Sequence, residues 1–235
     1  MIKLYSFGPG LHMIDPSPFA LKIDLFLRIT NTPYEAIQNA KNLQKAPKGK
    51  LPFIDDNGTV VADSTFITDY FNTKHAIDLD EHLNAEQKTQ SHFITHSIEQ
   101  SLYWCIVYFR WVYAENWLVI KNIFFADMPF PLKQIVPPIA RKKVIKSLHG
   151  QGFGRHSEQE ILHIAKTHLA SINQFLENKK FAFNEKVSLV DIILLSFLSQ
   201  ILLCSLSSPL KDLACNYENI VSYCERMNNV YPVTV

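Results

Sequence analysis

Cysteine is scarce in this sequence, and neither sign of charge is in excess. Only 4 cysteines occur in 235 residues, and no two of them have the short spacing of a zinc site or of a Cys-x-x-Cys redox motif. Lys and Arg number 23 against 22 Asp and Glu, so the formal net charge is +1. This balance favours neither nucleic acid nor an anionic membrane as a partner. We expect four reduced, buried thiols: Cys105, Cys204, Cys215 and Cys224.

The sequence also lacks the patterns of a signal peptide and of a membrane span. Residues 1–7 are apolar but are followed at once by Gly8, so they are too short for the apolar region of a signal peptide. The most apolar stretch, residues 187–206, contains Asp191 and Gln200, which favours a buried core helix over a transmembrane helix. We therefore expect a cytoplasmic protein.

The chain does have enough apolar material for a sizeable core. Hydrophobic residues make up 47% of it and include 16 Phe, a composition that excludes a largely disordered protein. The secondary-structure pattern of the sequence changes near residues 76–84, because strand and turn patterns dominate before this point and helical periodicity dominates after it. We predict two domains, residues 1–77 and residues 84–235.

The first domain has the predicted element order β-α-β-connector-β-β-α. Its helices are expected to begin at Ser17-Pro18 and at Asp63-Ser64. Asn57-Gly58 predicts a tight hairpin between the last two strands, since both residues accept positive φ angles. The strands are expected at 1–7, 34–39, 51–55 and 59–62.

The second domain is predicted to be all helical. Its fourth helix begins with Ser188 and Asp191, the spacing of a capping box that stabilises the fold rather than performs chemistry. The expected helices are 84–113, 132–148, 157–178, 188–204 and 217–228.

Leu51-Pro52 and Asp63-Ser64 are the most informative pairs in the first domain. A cis Pro52 would leave the backbone N–H and C=O of Leu51 free to pair with an extended peptide. The start of the following helix offers N–H groups and the Ser64 hydroxyl to a carboxylate, while Asp63 suits an ammonium group. An amino-acid head group carries both charges. Taken alone, Asp63-Ser64 is better explained as an ordinary N-cap, whereas the preceding Leu51-Pro52 and the Asn57-Gly58 hairpin favour a ligand site.

Ser17 begins a helix beside the same small sheet. Its hydroxyl and the helix dipole could stabilise a thiolate there. Tyr5 and Ser6 compete for this role, and an ordinary N-cap is the alternative for Ser17. Ala20 occupies the position at which a dithiol oxidoreductase carries its second cysteine, which excludes dithiol redox chemistry at this site.

These motifs resemble the cytosolic glutathione transferase superfamily and, within it, the failed-axon-connections and metaxin-related group. The resemblance implies a thioredoxin-like α/β N-terminal domain and an all-α C-terminal domain, with glutathione as co-substrate, no metal and a homodimer. It covers essentially the whole chain and is carried by Ser17-Pro-Phe-Ala-Leu-Lys22, Ala46-Pro-Lys-Gly-Lys-Leu-Pro-Phe53, Ala62-Asp-Ser-Thr-Phe-Ile67, Gly152-Phe-Gly-Arg-His156 and Ser208-Pro-Leu-Lys-Asp212.

The same resemblance implies roles for matching positions. For glutathione it implies Ser17 near the sulfur, Leu51 beside Pro52 at the cysteinyl backbone, Asp63 and Ser64 at the γ-glutamyl end, and Lys41 and Lys50 at the glycine carboxylate.

The aromatic stretch 102–117 recurs every three or four residues, so much of it must be core. In the resembling family the corresponding helices line the acceptor pocket, which makes Tyr103, Tyr108 and Trp111 candidates for that wall, with simple packing as the alternative. The implied function is attack of the glutathione thiolate on an apolar electrophile. The alternative is a non-catalytic binding or protein-interaction module, as metaxin-like members imply.

Two histidines and a basic run can each be interpreted as a binding site or as a solvated helix face. His92 and His96 have a metal-binding spacing, but no third ligand accompanies them, so a solvated helix face is favoured. The basic run 141–146 could bind phosphate or an acidic partner, yet in so neutral a chain a solvated face is again favoured.

Overall fold

A small mixed sheet forms the first part of the computed structural model, which describes residues 1–183 and 185–235. The strands lie in the order β2-β1-β3-β4, with β1 parallel to β2 and antiparallel to β3, and β3 antiparallel to β4. The elements are β1 (Ile2–Ser6), α1 (Pro18–Ile29), β2 (Tyr34–Gln38), α2 (Asn42–Lys45), β3 (Phe53–Asp56), β4 (Thr59–Ala62) and α3 (Ser64–His75). The predicted order is confirmed, with α2 as a short helix inside the predicted connector.

The hairpin between β3 and β4 is the one that the sequence predicts. Asn57 has a φ of 51° and Gly58 a φ of 96°. A reversal with positive φ at both central residues matches the twist of the two strands.

The rest of the chain is helical, which confirms the predicted fold class. The helices are α4 (Ala85–Ser97), α5 (Tyr103–Trp111), α6 (Ala114–Phe124), α7 (Leu132–Gln151), α8 (Glu158–Phe175), α9 (Leu189–Leu202), α10 (Pro209–Cys215) and α11 (Glu218–Val230). None of the helices within 1–183 and 185–235 combines the length and apolarity that crossing a bilayer requires.

Several helix boundaries differ from the prediction. The helix expected over 84–113 consists of α4, one π-helical turn (Ile98–Leu102) and α5. Helices α6 and α10 were not predicted, and α7, expected over 132–148, extends to Gln151. The physical reason is that tertiary packing overrides local propensity where helices form and end.

Helix α9 is the centre of the core. Every residue from 190 to 201 is buried, which confirms a core helix in the most apolar stretch of the sequence. Helix α1 packs against α9 and α3, and the Tyr34 hydroxyl of β2 donates to Asp24 of α1. Cys105, Cys204 and Cys224 are buried as expected, but Cys215 is exposed at the end of α10, so the expectation for that residue was wrong.

Asp191 organises the start of α9. Its carboxylate is fully buried and accepts hydrogen bonds from the Ser188 N–H at 2.9 Å and the Ser188 hydroxyl at 2.7 Å. It also accepts from the Ala182 N–H at 2.7 Å and the Tyr223 hydroxyl at 2.7 Å. The predicted capping box is present, and its acid also holds the preceding loop and α11 against α9.

We predict a large loss of stability in Asp191→Ala, because four buried donors lose their acceptor. The free energy of unfolding should fall by about 4 kcal/mol or more, whereas Tyr223→Phe, which removes a single donor, should cost about 1 kcal/mol. Urea denaturation of both variants measures these values. Equal losses in the two variants would contradict a hub role for Asp191.

Candidate functional site

The strand register brings the predicted glutathione-site segments to one edge of the sheet. Tyr5 pairs with Phe53, and Phe53 with Ala62. The end of β1, the start of β3 and the end of β4 therefore lie side by side, and this end of the sheet is the edge meant below. Leu51-Pro52 lies there just before β3, and Asp63-Ser64 just after β4. Residues 7–17 leave β1 at the same edge. The edge thus combines a loop, a strand start and a helix N-terminus.

Leu51 presents backbone groups at this edge. The Leu51-Pro52 peptide bond is cis, and the Leu51 side chain is buried. Within the part of the chain that the structure describes, neither the N–H nor the C=O of Leu51 forms a hydrogen bond. These groups remain free for an extended peptide that would add to the sheet edge.

Asp63 and Ser64 form the start of α3. Asp63 is exposed with a φ of 89°, and its carboxylate accepts the Thr65 N–H at 3.0 Å. It is therefore an N-cap, and its exposed carboxylate retains oxygen lone pairs for a ligand ammonium group. Ser64 is buried and lies beneath the edge of the sheet.

A buried ion pair contacts the Ser64 side chain. The Lys22 ammonium lies 2.8 Å from a Glu99 carboxylate oxygen, with the two side chains only 1% and 9% exposed. The same ammonium lies 3.4 Å from the Ser64 hydroxyl oxygen, a long hydrogen bond. Because an ammonium group can only donate, it turns the Ser64 proton away, and that proton has no acceptor within the described residues. Ser64 is thereby oriented as a donor, which suits a carboxylate ligand.

Glu99 reaches this position from a π-helical turn. Residues 98–102 are π-helical between α4 and α5, and such turns are frequent at functional sites. The ion pair joins α1 to the helical part of the chain. Sequence reasoning missed both residues, although a lysine on the apolar face of α1 was a usable signal.

Ser17 is held by a buried carboxylate. The Ser17 N–H donates to Asp15 at 2.8 Å, and the same side chain accepts from the Phe7 N–H at 2.9 Å and the Gly8 N–H at 3.0 Å. The Ser17 oxygen accepts weakly from the Ala20 N–H at 3.4 Å. Ser17 is therefore an N-cap that remains partly exposed, and Asp15 ties its loop to the end of β1.

Burial raises the pKa of Asp15 to about 6, although the hydrogen bonds from Ser17, Gly8 and Phe7 act in the opposite direction. A carboxyl group with this pKa gains a proton in mildly acidic solution. Protonation would weaken the hold of Asp15 on the loop that carries Ser17, because a neutral carboxyl is a poorer acceptor.

The loop is also anchored from the helical side. Gln200 donates to the Asp15 carbonyl at 2.9 Å and accepts from the Arg110 guanidinium at 2.8 Å. Arg110 also donates to the Pro16 carbonyl. Arg110 Nε has no partner among the described residues, and a cavity of about 20 Å³ beside it has room for one water molecule.

The two other thiolate candidates lie at the end of β1. The Tyr5 ring stacks on Phe53 with 4.2 Å between ring centroids. Ser6 is buried and bonds to Asp15. Lys41 and Lys50 are exposed, and no contact among the described residues places their ammonium groups at this edge.

The predicted acceptor-pocket residues are spread along α5. The Tyr103 ring lies 4.9 Å from Phe19, close to the start of α1. Trp111 packs against Trp117 at 6.0 Å, and Tyr108 is partly exposed. Tyr103 and Trp111 are eight residues apart, or roughly 12 Å along a helix. Tyr103 thus lies beside the start of α1, and the pocket wall stays a prediction.

The histidine and basic groups are at the surface. His92 and His96 are exposed on α4, with ring centroids 6.4 Å apart. The structure offers no cluster of three metal-ligating side chains within 1–183 and 185–235. Arg141 is not solvated as expected, because it donates to the Trp111 and Val112 carbonyls at 2.9 Å and caps α5.

Family models match both parts of the chain. A model described as glutathione S-transferase N-terminal domain matches residues 18–116, and one described as glutathione S-transferase, C-terminal domain matches residues 165–227.

The curated relatives include a glutathione S-transferase, Failed axon connections and metaxins. The isoprene-epoxide–glutathione S-transferase of Rhodococcus sp. strain AD45 is 31% identical, over 99% of this chain and 100% of that protein. Failed axon connections of Drosophila melanogaster is 29% identical, over 97% of this chain and 57% of that protein. Metaxin-1 of Mus musculus is 25% identical, over 97% and 73%.

Solved structures share the fold. The beta-etherase LigF from Sphingobium sp. strain SYK-6 superposes with a TM-score of 0.68 at 18% identity, covering 97% of this chain and 94% of that one. A glutathione S-transferase from Methylobacillus flagellatus KT, solved with GSH bound, has a TM-score of 0.60 at 15% identity, covering 97% and 95%.

We predict that breaking the Lys22–Glu99 pair is strongly destabilising, because one buried charge is left without compensation. Lys22→Met and Glu99→Met should each lower the free energy of unfolding by about 3–5 kcal/mol, and the double variant should recover most of that loss. Urea denaturation of the three variants measures this. Additive losses would show that the two charges are not coupled.

We also predict a pH-dependent difference between the wild type and Asp15→Asn. The folded pKa of about 6 exceeds the unfolded value of about 3.9, so the folded protein binds more protons between these values. Relative to the variant, the wild type should therefore lose about 2–3 kcal/mol of stability as the pH rises from about 4 to above 6. Unfolding measured across this range checks it, and a constant difference would contradict the prediction.

Proposed function

The chain belongs to the glutathione S-transferase family, and we propose that it binds glutathione at the sheet edge and transfers its thiol to an apolar electrophile. The observation that carries the proposal is the meeting of the unpaired Leu51 backbone with the N-terminus of α3 at that edge. An extended peptide with an amino-acid head group fits both features.

Each end of glutathione has a candidate partner. The cysteinyl backbone would pair with the N–H and C=O of Leu51 beside Pro52. The γ-glutamyl carboxylate would accept from the oriented Ser64 hydroxyl and from the free N–H groups of α3, and its ammonium group would meet Asp63. Lys41 and Lys50 are the candidates for the glycine carboxylate.

The thiol would then lie at the Ser17 end of the edge. The Ser17 hydroxyl and the N-terminus of α1 can stabilise a thiolate through hydrogen bonding and the helix dipole. The thiolate would attack an electrophilic carbon of the second substrate, forming a thioether as the leaving group departs or a ring opens. Tyr103, near Phe19, is the best placed of the three predicted pocket residues.

We also propose a cytoplasmic homodimer, as the family resemblance implies. The exposed aromatic residues Phe66 on α3 and Phe93 on α4, with 57% and 66% exposure, support a contact that involves both parts of the chain. Light scattering of the purified protein tests this, and a monomeric mass would refute it.

Calorimetric titration with glutathione tests the binding site. Asp63→Asn retains an N-cap oxygen for Thr65 and tolerates the positive φ, yet it removes the charge that would meet the ammonium group. We expect it and Ser64→Ala to weaken binding about tenfold or more. Asp69→Asn, an exposed acid on the same helix, should bind like the wild type.

The thiol pKa separates the enzyme from a binding module. The wild type should lower the pKa of bound glutathione, measured from thiolate absorbance, and Ser17→Ala should raise it again by about one unit or more. Binding without a lowered thiol pKa would support the non-catalytic alternative, and no binding to the folded wild type would refute the proposal.

A further inference from the structure

The overall charge balance conceals a basic segment in the helical part of the chain. From the start of α6 to the turn after α7, residues 114–155 contain 7 Lys and Arg against the two acids Glu115 and Asp127. This segment therefore has a formal charge of +5. With +1 for the whole chain, the remainder has −4, so the positive charge is concentrated here.

Helix α7 turns apolar side chains toward solvent. Leu132, Ile135 and Ile139 share one face at the helical period and are 47%, 49% and 61% exposed. Phe130, just before the helix, is 81% exposed. Soluble proteins rarely leave such contiguous apolar side chains uncovered, and where they do, the surface usually binds something.

The same face becomes basic in the second half of the helix. Lys142 and Lys146 continue the row of Ile135 and Ile139 at the helical period, and both are exposed. Lys143 beside them is exposed as well. The face thus carries an apolar half and a lysine-rich half along a helix of roughly 30 Å.

The opposite side of α7 is already occupied. Pro137 and Leu148 are buried, and α7 packs against α5 and the short helical turn at Phe153–Arg155. Arg141 is bonded to the end of α5. A partner that must wrap around the helix, as calmodulin-type proteins do, is therefore disfavoured. The ridge formed by Phe130, Leu132, Ile135 and Ile139 together with Lys142, Lys143 and Lys146 remains exposed.

We propose that this ridge of α7 docks on an anionic lipid bilayer, with the apolar side chains inserted at the headgroup boundary and the lysines against the lipid phosphates and carboxylates. A convex ridge that combines exposed Phe, Leu and Ile with lysines suits a deformable anionic surface. Nucleic acid would match the charge but not the protruding apolar side chains, since such interfaces are more polar. The proposal does not depend on glutathione binding.

Co-sedimentation with vesicles tests this docking. We expect the full-length protein to bind vesicles of phosphatidylcholine containing about one third phosphatidylserine, and to bind pure phosphatidylcholine vesicles much more weakly. Ile135→Ser with Ile139→Ser should weaken binding about tenfold or more. Lys142→Gln with Lys146→Gln should weaken it about fivefold for each lysine removed, and added salt should reduce that charge effect.

Matched controls separate the ridge from general surface effects. Val230→Ser removes an apolar side chain that is 59% exposed on α11, and Lys88→Gln with Lys166→Gln removes two exposed lysines outside α7. These variants should bind vesicles like the wild type, and circular dichroism should show all variants folded. The proposal is overturned if the folded wild type does not bind anionic vesicles, or if ridge and control variants bind equally. It is also overturned if light scattering shows a dimeric wild type and a monomeric Ile135→Ser with Ile139→Ser variant, because the ridge would then pair two copies of the chain.

Discussion

The burial of helix α1 is the constraint on which the rest of the structure depends. This helix packs against α9 and α3 and is buried over most of its length, so its polar side chains must find partners inside the protein. Lys22 can be accommodated only because Glu99 projects from the π-helical turn of the other part of the chain. A buried charge without a partner would be strongly destabilising, whereas a close ion pair offsets much of the desolvation penalty. The position of α1 is thereby tied to the helical part and to Ser64 at the same time.

The candidate site lies where several strands and helices begin or end. One strand has just begun, another has just ended, and two helices start there, so the edge concentrates backbone groups that secondary structure leaves unpaired. Each candidate side chain also has a structural role, since Asp63 and Ser17 cap helices and Ser64 contacts a buried lysine. Capping and ligand binding do not exclude each other, because a carboxylate or hydroxyl oxygen has more than one lone pair. The family membership and the edge geometry point to the same ligand.

Most of the fold was predictable because its signals are local. Proline, Asn-Gly and capping residues mark where elements begin and end, so the order of elements in the first domain and the core helix at 189–202 were expected correctly. Helix α6 and the exposure of Cys215 were not, because each depends on packing against distant segments. For the site, Leu51, Asp63 and Ser64 could be found from their motifs. Asp15, Lys22 and Glu99 could not, since their partners are far away in the chain.

The sequence by itself determined most of the elements and their order, the family resemblance and the residues that we propose as glutathione contacts, because short motifs encode these directly. Only the tertiary structure decided which polar groups pair in the interior and which apolar groups stay outside. Asp191 becomes a hub because Ala182 and Tyr223 meet it in space, and the ridge of α7 becomes a surface because its other side is covered. Periodicity identifies the faces of a helix, but burial depends on which neighbours arrive, and that is a property of the whole folded chain.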